Sequence, residues 1–483
     1  MLFNSYIFIF LFLPLTVAGY YFLNFIGRNE WAKVELIVMS LWFYGYYNRS
    51  YLFIICGSII INYIASRTLL KCQHGAIYKN LILILGILFN IGLIFYYKYY
   101  DFFIANVNAI FKTDYAMRHI ILPLGISFFT FQQISYVIDA YRGETCDYTF
   151  FEYVLFVTFF PQLVAGPIVL HNEIIPQFKD QANMKINYGN WNRGLIFFVL
   201  GLAKKILIAD TFGKAVEWGY SNISLMGSLD AVIVILSYTL QIYFDFSGYC
   251  DMAAGIALFF NIRLPRNFNS PYKAKSVIEF WERWHMTLNR FLKQYVYIPL
   301  GGSKKGKSRT YANVMIVFLV SGIWHGANWT FIIWGCLHGI VNVFERVFAQ
   351  YLERINKYLR QGITFIFINI AWVFFRASSL REACEVLSRL FCMQKGISRG
   401  LTDCFITIEW KAVQILVPVL SRLGAGITVL MLGAGTYIVF KGKNIYETNW
   451  KIGSRILGME IAILLTWCVM SLSGISTFLY FNF

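Results

Sequence analysis

Residues 311–347, YANVMIVFLVSGIWHGANWTFIIWGCLHGIVNVFERV, decide the fold. Two apolar windows, 311–324 and 327–347, flank a Trp-His-Gly break. A helix crosses the hydrocarbon core with about 20 mainly apolar residues, so this run reads as two membrane helices with an imidazole set in the break. Working outward, similar windows lie near 5–26, 34–47, 51–66, 80–98, 120–140, 150–170, 193–210, 229–247, 361–376, 423–440 and 455–475. Several are short for a crossing, which predicts roughly ten to twelve true spans with the rest re-entrant or interfacial. Broken elements survive at membrane depth only where protein or a water-filled cavity satisfies their backbone. Short windows studded with polar residues therefore mark the functional interior.

Composition agrees. The 483 residues are 58% hydrophobic, 19% aromatic and 14% charged, against about 25% charged in a soluble domain. This excludes a soluble globule, a disordered chain, a collagen-like fibre and a small disulfide scaffold. The net charge of +17, from 42 Lys and Arg against 25 Asp and Glu, needs no nucleic acid. A polytopic membrane protein gathers Lys and Arg in its cytoplasmic loops beside anionic lipid. The nine cysteines contain no C-x-x-C pair and read as core residues. The apolar N-terminus has no basic residue before it, so it reads as a retained first span rather than a cleaved signal. Clusters at Arg67/Lys71/Lys79, Lys273/Lys275, Lys304/Lys305/Lys307/Arg309, Arg346/Arg354/Lys357/Arg360 and Lys441/Lys443/Lys451/Arg455 are predicted to face the cytoplasm. With no linker or internal repeat, 1–483 reads as one membrane domain, a core to about 400 and appended C-terminal helices over 401–483 ending in an aromatic tail.

Three motifs carry chemistry. Gly301-Gly302-Ser303-Lys304-Lys305-Gly306-Lys307-Ser308 fits the phosphate-loop pattern G-x-x-x-x-G-K-[ST]. It opens straight into an apolar run rather than a βα unit, so it reads as a cytoplasmic basic loop, with contact to a phosphorylated acyl donor left open. Asp245 and Asp251, in YFDFSGYCD (243–251), are carboxylates inside an apolar segment. They are candidates for substrate binding or for hydrogen bonding to a partner such as Arg263 or Arg283; six residues apart, they do not share a helix face. Among the histidines, His285, His325 and His338 sit in segments crowded with Trp and Gly. A metal site wants ligands at short helical spacing with carboxylate or thiolate company, and there is no H-E-x-x-H, so no metal is expected. A neutral imidazole in a membrane tunnel suits general-base work, while an isolated histidine, as His338 is read, more often belongs to the core.

The stretches FFPQLVAGPI (159–168), YFDFSGYCDMA (243–253), FWERWHMTLNRFLKQYVYIPLGG (280–302), SGIWHGANWTFIIWGCLHG (321–339) and WVFFRA (372–377) resemble the membrane-bound O-acyltransferase family. The likeness is greatest to its bacterial branch of alginate and peptidoglycan O-acetyltransferases, with the teichoic acid D-alanyl transferases further off. The resemblance implies an all-α polytopic integral membrane protein whose helices surround a central tunnel. It implies His325 as the catalytic histidine, His285 on the other side of the tunnel positioning donor or acceptor, and Trp324, Asn328 and Trp329 along its wall. The implied reaction moves an acyl group, most simply acetyl, from a cytoplasmic thioester donor, acetyl-CoA or an acyl carrier protein, toward an extracytoplasmic polysaccharide. A bacterial inner-membrane location and a separate extracytoplasmic SGNH-type acyltransferase as partner belong to the same implication. A D-alanyl transferase is the rival within the enzyme class. A transporter or flippase, and a non-catalytic scaffold, are the rivals outside it.

The chain ends in FLYFNF (478–483). On composition this is an interfacial aromatic anchor. The resemblance adds a second reading, because related tails are thought to carry the acyl group on their tyrosine, here Tyr480, working with His325.

Overall fold

A computed structural model describes residues 1–483 apart from 73–74, 395, 408–409, 412–422, 473–476 and 480–483. The described chain is helical, with no strand. Among the described residues, six helices are both long and apolar enough to span: Phe8–Phe25, Ser50–Lys71, Ala76–Phe111, Ser228–Phe259, Lys357–Arg376 and Gly424–Lys441. Their outward surfaces are greasy. On Ala76–Phe111, Ile77, Leu81, Ile84, Leu85, Leu88 and Ile91 are all exposed, an apolar area no water-soluble monomer tolerates and lipid solvates without cost.

Packing divides the chain into two compact units. One comprises 1–198 and 249–265 and the other 199–248 and 266–479, so residues from 401 to 479 belong to the second unit.

In the first unit, Asn62 and Asn90 pair their side-chain amides between the Ser50–Lys71 and Ala76–Ile94 helices, at 3.2 and 2.5 Å. Two buried amides that satisfy each other avoid the several kcal/mol an unpaired polar group costs in hydrocarbon. Asp251 is buried in this unit, 4% exposed.

The second unit is built on one close crossing. Helices Lys307–His325 and Trp329–Val347 touch backbone to backbone. A Cβ at Gly322 would lie 2.4 Å from the Phe331 carbonyl oxygen, and one at Gly335 2.5 Å from that of Phe318. Small residues at a crossing let van der Waals contact hold membrane helices that gain little from hydrophobic burial. The chain leaves the first helix at His325 and passes Gly326, where a Cβ would collide with the Phe331 ring at 2.1 Å. It enters the second helix through Asn328, whose side-chain oxygen accepts the Thr330 N–H at 3.1 Å and caps the helix. Glycine spacing thus fixes where His325 ends up.

Candidate active site

His325 is 2% exposed. Its ring sits edge-on to three others, with centroids 4.8 Å from Trp324, 5.1 Å from Trp334 and 5.1 Å from Phe375. Trp372 stacks on Trp334 at 5.9 Å. The WVFFRA stretch therefore supplies part of the box around the imidazole, through Trp372 and Phe375.

His285 lies between two helices too short to span, Val277–Arg283 and Met286–Leu292. Its backbone is left-handed, with φ at 46°, a conformation that costs a non-glycine residue on the order of 1 kcal/mol and gathers at functional sites. Asn267 holds it there. The Asn267 side-chain oxygen accepts the Thr287 N–H at 3.2 Å and the Thr287 hydroxyl at 2.9 Å, and lies 3.2 Å from His285 Nδ1. A backbone N–H can only donate, so the Asn267 atom is the oxygen and the neutral imidazole carries its proton on Nδ1. Nε2 is then the basic nitrogen. Burial pushes the His285 imidazole down to about 3, which keeps it neutral at physiological pH.

His285 also lines a cavity of about 370 Å³ with Trp281, Asn289, Lys293, Ser321 and Arg346, at the small end of ligand pockets, roughly 300–1,000 Å³. Ser303 and Thr310 line this cavity and a neighbouring one that Lys307 and Arg346 also border, so the 301–310 stretch edges both. That stretch is preceded by helical turns at Lys293–Tyr297 rather than a strand, which removes the phosphate-loop reading.

Of the residues named from sequence, His285, Trp324 and His325 come together. The Trp324 ring lies near both imidazoles, with centroids 6.1 Å from His285 and 4.8 Å from His325. The cavity lining includes His285 and not His325. Trp329, expected along a tunnel wall, opens its helix and is 52% exposed. Asn328, expected beside it, caps that helix and donates to the Ser378 carbonyl at 2.7 Å, so its polar atoms are engaged structurally. Asp245 and Asp251 are each buried and fall in different units. The cation of Asp245 is Lys205, at 2.8 Å, in place of Arg263 or Arg283; Arg283 pairs with Glu279 at 2.8 Å. Tyr480 lies outside the described residues. His338 takes the Trp281 indole N–H on Nδ1 at 3.1 Å, a packing contact. Sequence reasoning missed Asn267, Trp334 and Phe375; Trp334 and Phe375 had a signal in their places in the 321–339 and WVFFRA stretches, and Asn267 had none.

The model of the family described as MBOAT, membrane-bound O-acyltransferase family, matches residues 144–380. A peptidoglycan O-acetyltransferase of Helicobacter pylori is 42% identical, the match covering 100% of this chain and 98% of that protein. The chain belongs to the membrane-bound O-acyltransferase family. This O-acyltransferase is thus an enzyme and a multi-pass membrane protein. A probable alginate O-acetylase of Pseudomonas aeruginosa is 35% identical over 81% of this chain and 75% of its own length. A teichoic acid D-alanyltransferase of Streptococcus thermophilus is more distant, 29% identical over 48% of this chain and 59% of its own.

Proposed function

We propose that this O-acyltransferase moves an acetyl group from a thioester donor on the cytoplasmic side of a bacterial inner membrane toward hydroxyls of an extracytoplasmic polysaccharide, peptidoglycan or an alginate-like polymer. A separate SGNH-type transferase finishes the transfer outside. The observation that carries the reading is the His285-lined cavity bordered by the basic 301–310 stretch, in a chain alignable end to end with a peptidoglycan O-acetyltransferase. Lys293, Lys307 and Arg346 at the two cavities suit a phosphorylated donor, coenzyme A or a carrier protein, whose pantetheine arm would fill the narrow part. With Nδ1 bonded to Asn267, His285 Nε2 accepts a hydrogen bond from an amide N–H of that arm and positions it.

His325 acts as the base. Its imidazole takes the proton of an acceptor hydroxyl as that oxygen attacks the thioester carbonyl; the tetrahedral intermediate then collapses, expelling thiolate, which recovers the proton. The acceptor hydroxyl is first the phenol of Tyr480. The aryl ester so formed is activated for a second transfer, splitting one difficult step into two.

The reading is tested by membrane-reconstituted transfer of a radiolabelled acetyl or D-alanyl group supplied as its thioester. His325→Ala is expected to insert normally and lose about 10²–10⁴-fold or more of transfer, the usual contribution of a general base. His285→Ala is expected to lose less, with a larger effect on donor KM. Wild-type turnover by an inserted His325→Ala protein overturns the assignment, and preference for D-alanine overturns the choice of acyl group.

A further inference from the structure

In the second unit Lys205 is 2% exposed and its ammonium is fully engaged. It donates to Asp245 Oδ1 at 2.8 Å, to Asp210 Oδ1 at 2.8 Å and to the Thr477 carbonyl at 2.9 Å. The other oxygen of Asp245 accepts the Leu479 N–H at 2.9 Å. Between these two backbone groups, the Phe478 ring lies with its centroid 4.8 Å from the ammonium, a cation–π distance. The Thr477 carbonyl and the Leu479 N–H flank Phe478. The acid–base pair therefore holds the backbone on either side of that residue.

The pair is built to be where it is. Lys205 sits in a π-helical stretch, Lys204–Ala209, a wide turn that brings Asp210 beside it; such turns gather at functional positions. Asp245 is one helical turn from Gly248, where a Cβ would lie 2.8 Å from the Gly201 carbonyl oxygen. That bare contact lets the two helices approach closely enough for a lysine and an aspartate to meet inside the protein. Burying an ion pair brings little net stability against well-packed apolar residues. This one has one carbonyl and one N–H of the tail as its further partners.

We propose that Lys205, Asp245 and Asp210 form a peptide clamp that docks the protein's own C-terminal tail and sets the register in which the residue after Leu479 is presented. They are positioning residues, acting through the tail. The proposal rests on the Tyr480 relay only for its consequence in transfer; the docking itself stands apart from it.

The test separates the two. In a cysteine-free background a cysteine at Phe483 reports tail release by its maleimide labelling rate in detergent-solubilised full-length protein, alongside transfer of acetate. Leu479→Pro removes one N–H and leaves every charge in place, so the buried pair cannot collapse. It is expected to raise labelling by roughly tenfold or more, the weight of one charge-assisted hydrogen bond, and to lower kcat with little change in donor KM. Lys205→Met is expected to do the same more strongly, and Lys205→Arg to restore part of it. Tyr480→Phe is expected to leave labelling at the wild-type rate. Wild-type labelling in both Leu479→Pro and Lys205→Met overturns the clamp. Full transfer by Tyr480→Phe with raised labelling in Leu479→Pro overturns the relay and keeps the clamp.

Discussion

Gly335→Ala should disturb catalysis without altering any polar side chain. The added Cβ would lie 2.5 Å from the Phe318 carbonyl oxygen, and ordinary contact begins near 3.4 Å, so the two helices must part by about 0.9 Å. Both neighbours are backbone and cannot swing aside. Overpacking of this kind costs roughly 1–3 kcal/mol, too little to prevent insertion. Trp334, next to the substituted residue, packs 5.1 Å from the His325 ring, so the movement reaches the imidazole box. A misplacement of about 1 Å near reacting groups costs on the order of 10²-fold in rate. The expected result is a protein of normal abundance whose acetate transfer falls by about that factor. Gly433→Ala is the control, since a Cβ there meets nothing within 4 Å and alanine favours the helix by up to about 1 kcal/mol. Transfer should be assayed as base-released acetate from purified glycan per unit of enzyme. If Gly335→Ala and Gly433→Ala are equally active, the crossing does not set the histidine's position and the argument fails.

Asn267→Leu should release the His285 tautomer and its left-handed backbone together, raising donor KM several-fold; an unchanged KM would separate Asn267 from donor positioning. Single cysteines over 301–309, in a cysteine-free background, should resist an impermeant maleimide in intact cells, as a cytoplasmic basic loop must, and ready labelling inverts the topology. Charge reversal at Lys304, Lys305 and Lys307 should weaken use of a phosphorylated donor, an effect that added salt blunts in the wild type too. Loss of orientation with no change in donor KM would restrict the loop to topology.

The membrane class and the helical fold were legible in the chain because lipid imposes a one-dimensional rule: apolar windows of sufficient length, with basic residues between them; the family was legible only through the resemblance of its motif stretches. The Trp-His-Gly break was legible for the same reason, as an interruption that hydrocarbon would not tolerate without a purpose. Partners were not. Lys205 reads as half of an ordinary Lys-Lys dipeptide. Its contacts at Asp245 and Thr477 lie 40 and 272 residues away, and no periodicity links them. Nor could sequence say that the cavity meets His285 while His325 is boxed by Trp324, Trp334 and Phe375, or that Trp329 is exposed. Those outcomes depend on which helices touch and at what distance. Gly322 and Gly335 settle that for the crossing by backbone contact, which exists only once the chain has folded.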